Sequence, residues 1–159
     1  LRCLVGSEMC IRDRVIEYNC RFGDPETQVV LPLLETDIMD IIEAVWEEKL
    51  DTLDIKWSDK SCACVVMASG GYPEKYETGK VISGLDENGQ CEGAFVYHAG
   101  TKLEDGKFLT AGGRVLGITA YGDTLKEALD TAYKAVDTIS FEKAHYRHDI
   151  GKKALSALK

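Results

Sequence analysis

Apolar and polar positions divide the N-terminal third of the chain into contrasting stretches. Leu1 to Arg14 shows no clear period. Val15-Ile16-Glu17-Tyr18-Asn19-Cys20 alternates as a strand does, with side chains at i, i+2 and i+4 on one face. Gly23 and Pro25 break regular structure between Arg21 and Gln28. Beyond them, Ile38, Ile41, Ile42, Val45 and Trp46 fall at i, i+3, i+4, i+7 and i+8, one apolar stripe that predicts a helix. Thr36 or Asp37 can cap its start, and Asp37 and Asp40 suit the positive end of its dipole. The polar run Asp51 to Lys60 reads as a connection and a candidate domain boundary.

After that run the pattern turns to β. Cys62-Ala63-Cys64-Val65-Val66-Met67 predicts a strand buried on both faces, ended by Gly70-Gly71-Tyr72-Pro73. Further strands are expected at 93–98, 108–110 and 115–120. Asp86-Glu87-Asn88-Gly89 reads as a turn and Glu104-Asp105-Gly106-Lys107 as a hairpin tip, because Asn-Gly and Asp-Gly tolerate positive φ. Thr124-Leu125-Lys126-Glu127 is a capping box, followed by a buried stripe of Leu125, Ala128, Leu129, Ala132 and Val136. Trp46 and Trp57 read as packing residues. The whole pattern predicts an α+β fold in which short antiparallel strands pack against at least one helix.

Composition narrows the function classes. The net charge of −8 argues against a surface built for nucleic acid or anionic lipid, and no apolar run approaches the roughly 18 residues that span a bilayer. Six cysteines (Cys3, Cys10, Cys20, Cys62, Cys64 and Cys91) include no Cys-x-x-Cys pair and read as reduced, structural thiols. The chain starts without Met, which points to a piece of a longer protein.

The chemistry concentrates at Glu17, Asn19 and Arg21, which a strand would line up on one face. A carboxylate and an amide oxygen are hard donors suited to Mg²⁺, which usually keeps waters and substrate phosphates as its other ligands. A neighbouring guanidinium can offset charge on a transferring phosphoryl group. Lys102 and Arg114 each sit beside glycines (Gly100, and Gly112-Gly113), so cation and backbone could together hold a phosphate.

Val15-Ile16-Glu17-Tyr18-Asn19-Cys20-Arg21-Phe22-Gly23-Asp24-Pro25-Glu26-Thr27-Gln28 resembles the signature of the phosphoribosylamine–glycine ligase family. The resemblance continues in order through 67–73, 98–102, 112–116 and 147–151. It implies that 15–55 is the C-terminal end of an ATP-grasp domain and 56–159 a small antiparallel β-rich C-terminal domain with a packed helix. It implies a cytoplasmic enzyme of purine synthesis that uses ATP and Mg²⁺ or Mn²⁺ to join glycine to 5-phosphoribosylamine through a glycyl phosphate. Glu17 and Asn19 would then be metal ligands and Arg21 a catalytic group. Asp24 and Glu26 would face glycine and the sugar amine, and Lys102 and Arg114 would grip the substrate phosphate.

Residues 1–14 do not fit that family and resemble a translated sequencing adapter. The N-terminal domain and most of the ATP-grasp domain would be missing partners of this segment, and the fragment alone is expected to be inactive. Two alternatives are a different ATP-grasp carboxylate–amine ligase of purine synthesis and a stand-alone module that binds a phosphorylated ligand.

Overall fold

A computed structural model describes residues 21–157, together with the backbone of β1 (Cys10–Ile11) and β2 (Arg14–Val15), which pair antiparallel. The expected strand beyond Val15, with Glu17 and Asn19, lies outside the described residues, as does nearly all of the adapter-like segment.

The chain from Arg21 enters a short helix, α1 (Thr27–Val30), and a 3-10 turn at Leu31–Leu33. Pro32 stands where that turn needs no backbone donor. The stripe-bearing helix follows as α2 (Ile38–Trp46), and of its two candidate caps Asp37 does the capping, its carboxylate accepting from Met39 N at 2.8 Å. A second 3-10 turn, Leu50–Thr52, leads into the connection.

Beyond the connection the strands are β3 (Ser61–Ala68), β4 (Phe95–His98), β5 (Thr101–Glu104), β6 (Lys107–Thr110) and β7 (Arg114–Gly122). β7 lies between β3 and β4 in an antiparallel sheet, with Ile118 opposite Val65 on one side and Val96 on the other. A bulge between Met67 and Ala68 shifts the register so that Ala68 meets Arg114. β5 and β6 form a separate hairpin, a strand pair of which only the second half is legible in the residue pattern. Its tip holds Asp105 and Gly106 at φ 50° and 72°, the two positive values a tight hairpin turn needs.

β3 departs from expectation. Ala63, Val65 and Met67 are buried, whereas Cys62, Cys64 and Val66 are only half-buried, so the strand has one dry face and one partly covered face. The dry face packs under α3 (Leu125–Val136), which contributes Ala128, Leu129, Ala132, Ala135 and Val136. Thr124 and Glu127 form the expected capping box. Val65, Met67, Val115, Leu116 and Ile118 are almost wholly excluded from water, each such side chain stabilising the fold by about 1.5–3 kcal/mol. A last helix, α4 (Lys152–Ala157), closes the described chain and packs Leu155 near Leu129.

The other sheet face carries Cys62, Cys64 and Val66 of β3, Gly117, Thr119 and Tyr121 of β7, and Phe95 and Tyr97 of β4. Residues 21–34 run across it. Tyr121 donates from its hydroxyl to Pro32 O at 3.3 Å, and a β-carbon on Gly117 would stand 3.9 Å from Gln28 Cγ and 3.2 Å from Cys64 Sγ. Gly117 therefore leaves room for the incoming segment at the middle of the sheet. The 21–34 stretch is laid across one face of the β3–β7–β4 sheet, and that contact builds the site.

Candidate active site

The loop from Gly23 to Gln28 is folded by its own polar groups. Glu26 turns inward, its Oε1 accepting from Gly23 N at 2.7 Å, and Thr27 donates from both N and Oγ1 to Gly23 O. This local knot presents Asp24 toward the sheet. Asp24 Oδ2 accepts from Arg114 Nη2 at 2.9 Å, while Oδ1 accepts from Gln28 Nε2 at 2.8 Å. One carboxylate is thus held by two donors from opposite sides, one in its own loop and one at the start of β7. The Asp24–Pro25 peptide bond is cis.

Between this loop and the sheet lies an open cleft of about 840 Å³. Arg21, Asp24 and Gln28 line it from the loop, and Tyr97, His98, Arg114 and Tyr121 from the sheet. Arg21 and Arg114 bring guanidinium groups to this lining, chemistry that suits an anion even in a chain of negative total charge. Burial pushes the pKa values of Tyr97 and Tyr121 up, so both hydroxyls stay protonated and able to donate. His98 is fixed by two contacts, Nε2 to Gly89 O at 2.9 Å and Nδ1 to Thr101 Oγ1 at 2.8 Å. A carbonyl oxygen only accepts, so Nε2 carries a proton and the ring serves as a brace between β4 and β5.

A second, smaller cavity of about 310 Å³ lies on the far side of Arg114, with Pro25, Cys64, Val66 and Tyr72 among its walls. Its Arg147 is bound to Asp149 through two hydrogen bonds, at 2.9 and 3.0 Å. Cys62 and Cys64 stand on the same sheet face. The Cys62 thiol is pushed up to about 11, and Cys64 is raised as well, in both cases chiefly by burial. Such thiols are poor nucleophiles at neutral pH, in keeping with a structural part. Cys62, Cys64 and Cys91 are all free.

Of the residues singled out from the sequence, Arg21, Asp24 and Arg114 meet at one cleft. Glu26 serves the loop's own fold. Lys102 pairs with Glu104 on β5 and lines neither cavity. Glu17 and Asn19 lie outside the described residues, and among the described ones no three His, Cys, Asp or Glu residues group as metal ligands. Gln28, Tyr97 and Tyr121 are additions that sequence reasoning missed. Gln28 lay at the end of the quoted motif, whereas the tyrosines reach the site only through strand pairing.

The family described as Phosphoribosylglycinamide synthetase, C domain, matches residues 62–153. The chain belongs to this family. A phosphoribosylamine–glycine ligase of Caldanaerobacter subterraneus is 55% identical over 137 residues, covering 86% of this chain and 32% of that protein. One from Synechocystis is 51% identical over 143 residues, covering 89% and 34%. A bifunctional purine biosynthetic protein of Dictyostelium discoideum is 50% identical over 145 residues, covering 91% and 18%. The crystal structure of a phosphoribosylamine–glycine ligase from Thermotoga maritima aligns with a TM-score of 0.66 at 34% identity, covering 85% of this chain and 32% of that one.

The chain therefore spans about a third of the length of the ligases it matches. Identity over 137 or more residues exceeds the domain match at 62–153, so the segments ahead of β3, which carry the cleft's loop, share in the likeness. Among the described residues no helix is long and apolar enough to cross a membrane.

Proposed function

We propose that the chain is the C-terminal part of an ATP-grasp ligase that joins glycine to 5-phosphoribosylamine in purine synthesis. The observation that carries this reading is the 55% identity to a ligase of that name over 86% of the chain. The cleft supports it chemically, since Arg21 and Arg114 offer guanidinium groups to an anionic substrate, and Tyr97 offers a hydroxyl donor.

In the proposed reaction ATP gives its terminal phosphoryl group to the glycine carboxylate, releasing ADP. The amine of phosphoribosylamine then forms the C–N bond and phosphate leaves. Glu17 and Asn19 supply hard oxygen donors of the kind Mg²⁺ or Mn²⁺ takes, and a bound ion would neutralise phosphate charge there. Arg21, close along the chain, would meet charge developing on the transferred group. Asp24, pinned between Gln28 and Arg114, would hold Arg114 aimed into the cleft, where it would bind the sugar phosphate.

Because the chain is about a third of its relatives' length, it should not turn over alone. The test is genetic. A chimera joining the N-terminal two-thirds of the Caldanaerobacter ligase to this chain should restore growth without purines to a bacterium lacking its own ligase. A well-expressed chimera that fails while the intact relative succeeds would sink the proposal.

A further inference from the structure

Gln28 is satisfied on one side only. Its Nε2 donates to Asp24 Oδ1 at 2.8 Å, while its Oε1 is enclosed and accepts from no donor among the described residues. Turning the amide end for end would set its oxygen against the Asp24 carboxylate and lose the bond. The stem is equally committed, its Cγ lying 3.9 Å from where a β-carbon on Gly117 would stand.

The sheet beneath repeats the pattern. Thr119, wholly buried on β7, also keeps its hydroxyl oxygen without a hydrogen bond among the described residues. Cys64, opposite it on β3, would accept from it as a thiolate, but burial raises that thiol's pKa and keeps it neutral. Two buried polar atoms without partners weaken the seam between residues 21–34 and the sheet. A methionine at position 28 would fill nearly the same volume with no dry amide oxygen. What glutamine supplies instead is the donor to Asp24.

We propose that Gln28 is a positioning residue for the ligation, kept at a cost in stability because it orients the Asp24 carboxylate that aims Arg114. It acts through Asp24: with Oδ1 held by Gln28, Oδ2 meets Arg114 Nη2 at 2.9 Å. The proposal rests on the ligase reading for what Arg114 binds, the sugar phosphate. It adds the place where the site gives up stability for aim. Thr119 lines neither the cleft nor the smaller cavity, so relieving its hydroxyl serves as the control.

Q28M and T119V separate the cost from the function. In this chain alone, each should leave the melting temperature unchanged or raised. In the chimera, Q28M should lower kcat/KM for phosphoribosylamine about tenfold, chiefly through KM, with KM for glycine and ATP kept, whereas T119V should match the parent. Added to D24A, Q28M should cost nothing further, because its route runs through that carboxylate. NMR of the Arg114 guanidinium in this chain alone reads the aim without turnover. There Q28M should speed rotation of that group several-fold, roughly the loosening expected of one lost tether, and T119V should not. A Q28M chain that melts well below the parent, an Arg114 signal unmoved by Q28M, or a Q28M loss that persists in full on D24A would overturn the proposal. An inert parent chimera, with Arg114 freed by Q28M in the chain alone, defeats the ligase reading and upholds the positioning.

Discussion

Arg114 Nη2 stands 2.9 Å from Asp24 Oδ2, joining the first residue of β7 to a loop 90 positions earlier. Their side chains are 42% and 47% exposed, so the pair contributes only about 0–1 kcal/mol to stability. Its value lies in aim. Gln28 holds the other carboxylate oxygen at 2.8 Å, so removing Asp24 frees Arg114 and unties the loop at once.

D24A should therefore change unfolding free energy by less than about 1 kcal/mol, while turnover of the chimeric ligase falls about tenfold or more. Denaturant unfolding and ADP release measure the two effects. A loss of stability equal to the loss of activity would show that the pair is only structural.

Gly117 fills a different need. A valine there would push on Cys64 Sγ and on Gln28, both within 4 Å of its β-carbon. G117V should cost about 1–3 kcal/mol by overpacking and lift residues 27–34 off the sheet. Loss of exchange protection at Leu34 and at α1, with α3 retained, would show it.

The Cys62 thiol makes stability fall at high pH. Its folded pKa of about 11 lies above the ordinary thiol value of 9.0, so between those values the unfolded chain loses its proton first. The stabilisation is complete below pH 9.0 and is lost as pH rises through about 11. C62A should flatten that decline, which urea unfolding across the alkaline range would reveal.

The capping box of α3 can be measured more simply. T124A removes the acceptor for Glu127 N and should cost about 1 kcal/mol without altering the cleft. A thermal melt checks it.

Local signals were legible in the sequence because their physics is local. The stripe of α2, the Thr124–Glu127 box and the Asp105–Gly106 turn each depend on residues within one helical turn or one hairpin, and each stands where expected. The cleft was half legible. Arg21 and Asp24 lay in one motif, but Tyr97 and Tyr121 enter through the β4–β7 register, a pairing that spacing along the chain does not encode. Lys102 looked equivalent to Arg114 because both follow glycines. The separate β5–β6 hairpin turns it to Glu104 instead. β3 looked dry on both faces because cysteine and valine are apolar. The half-covered face was set by the 21–34 segment, a contact distant in sequence.

The most direct measurement is ADP release by the purified chimera, with glycine and phosphoribosylamine supplied together and singly. The account predicts release that needs both substrates, that R21A and R114A each reduce strongly, and that this chain alone does not show. Release by the chain alone, or a folded chimera inert beside an active intact relative, would contradict it.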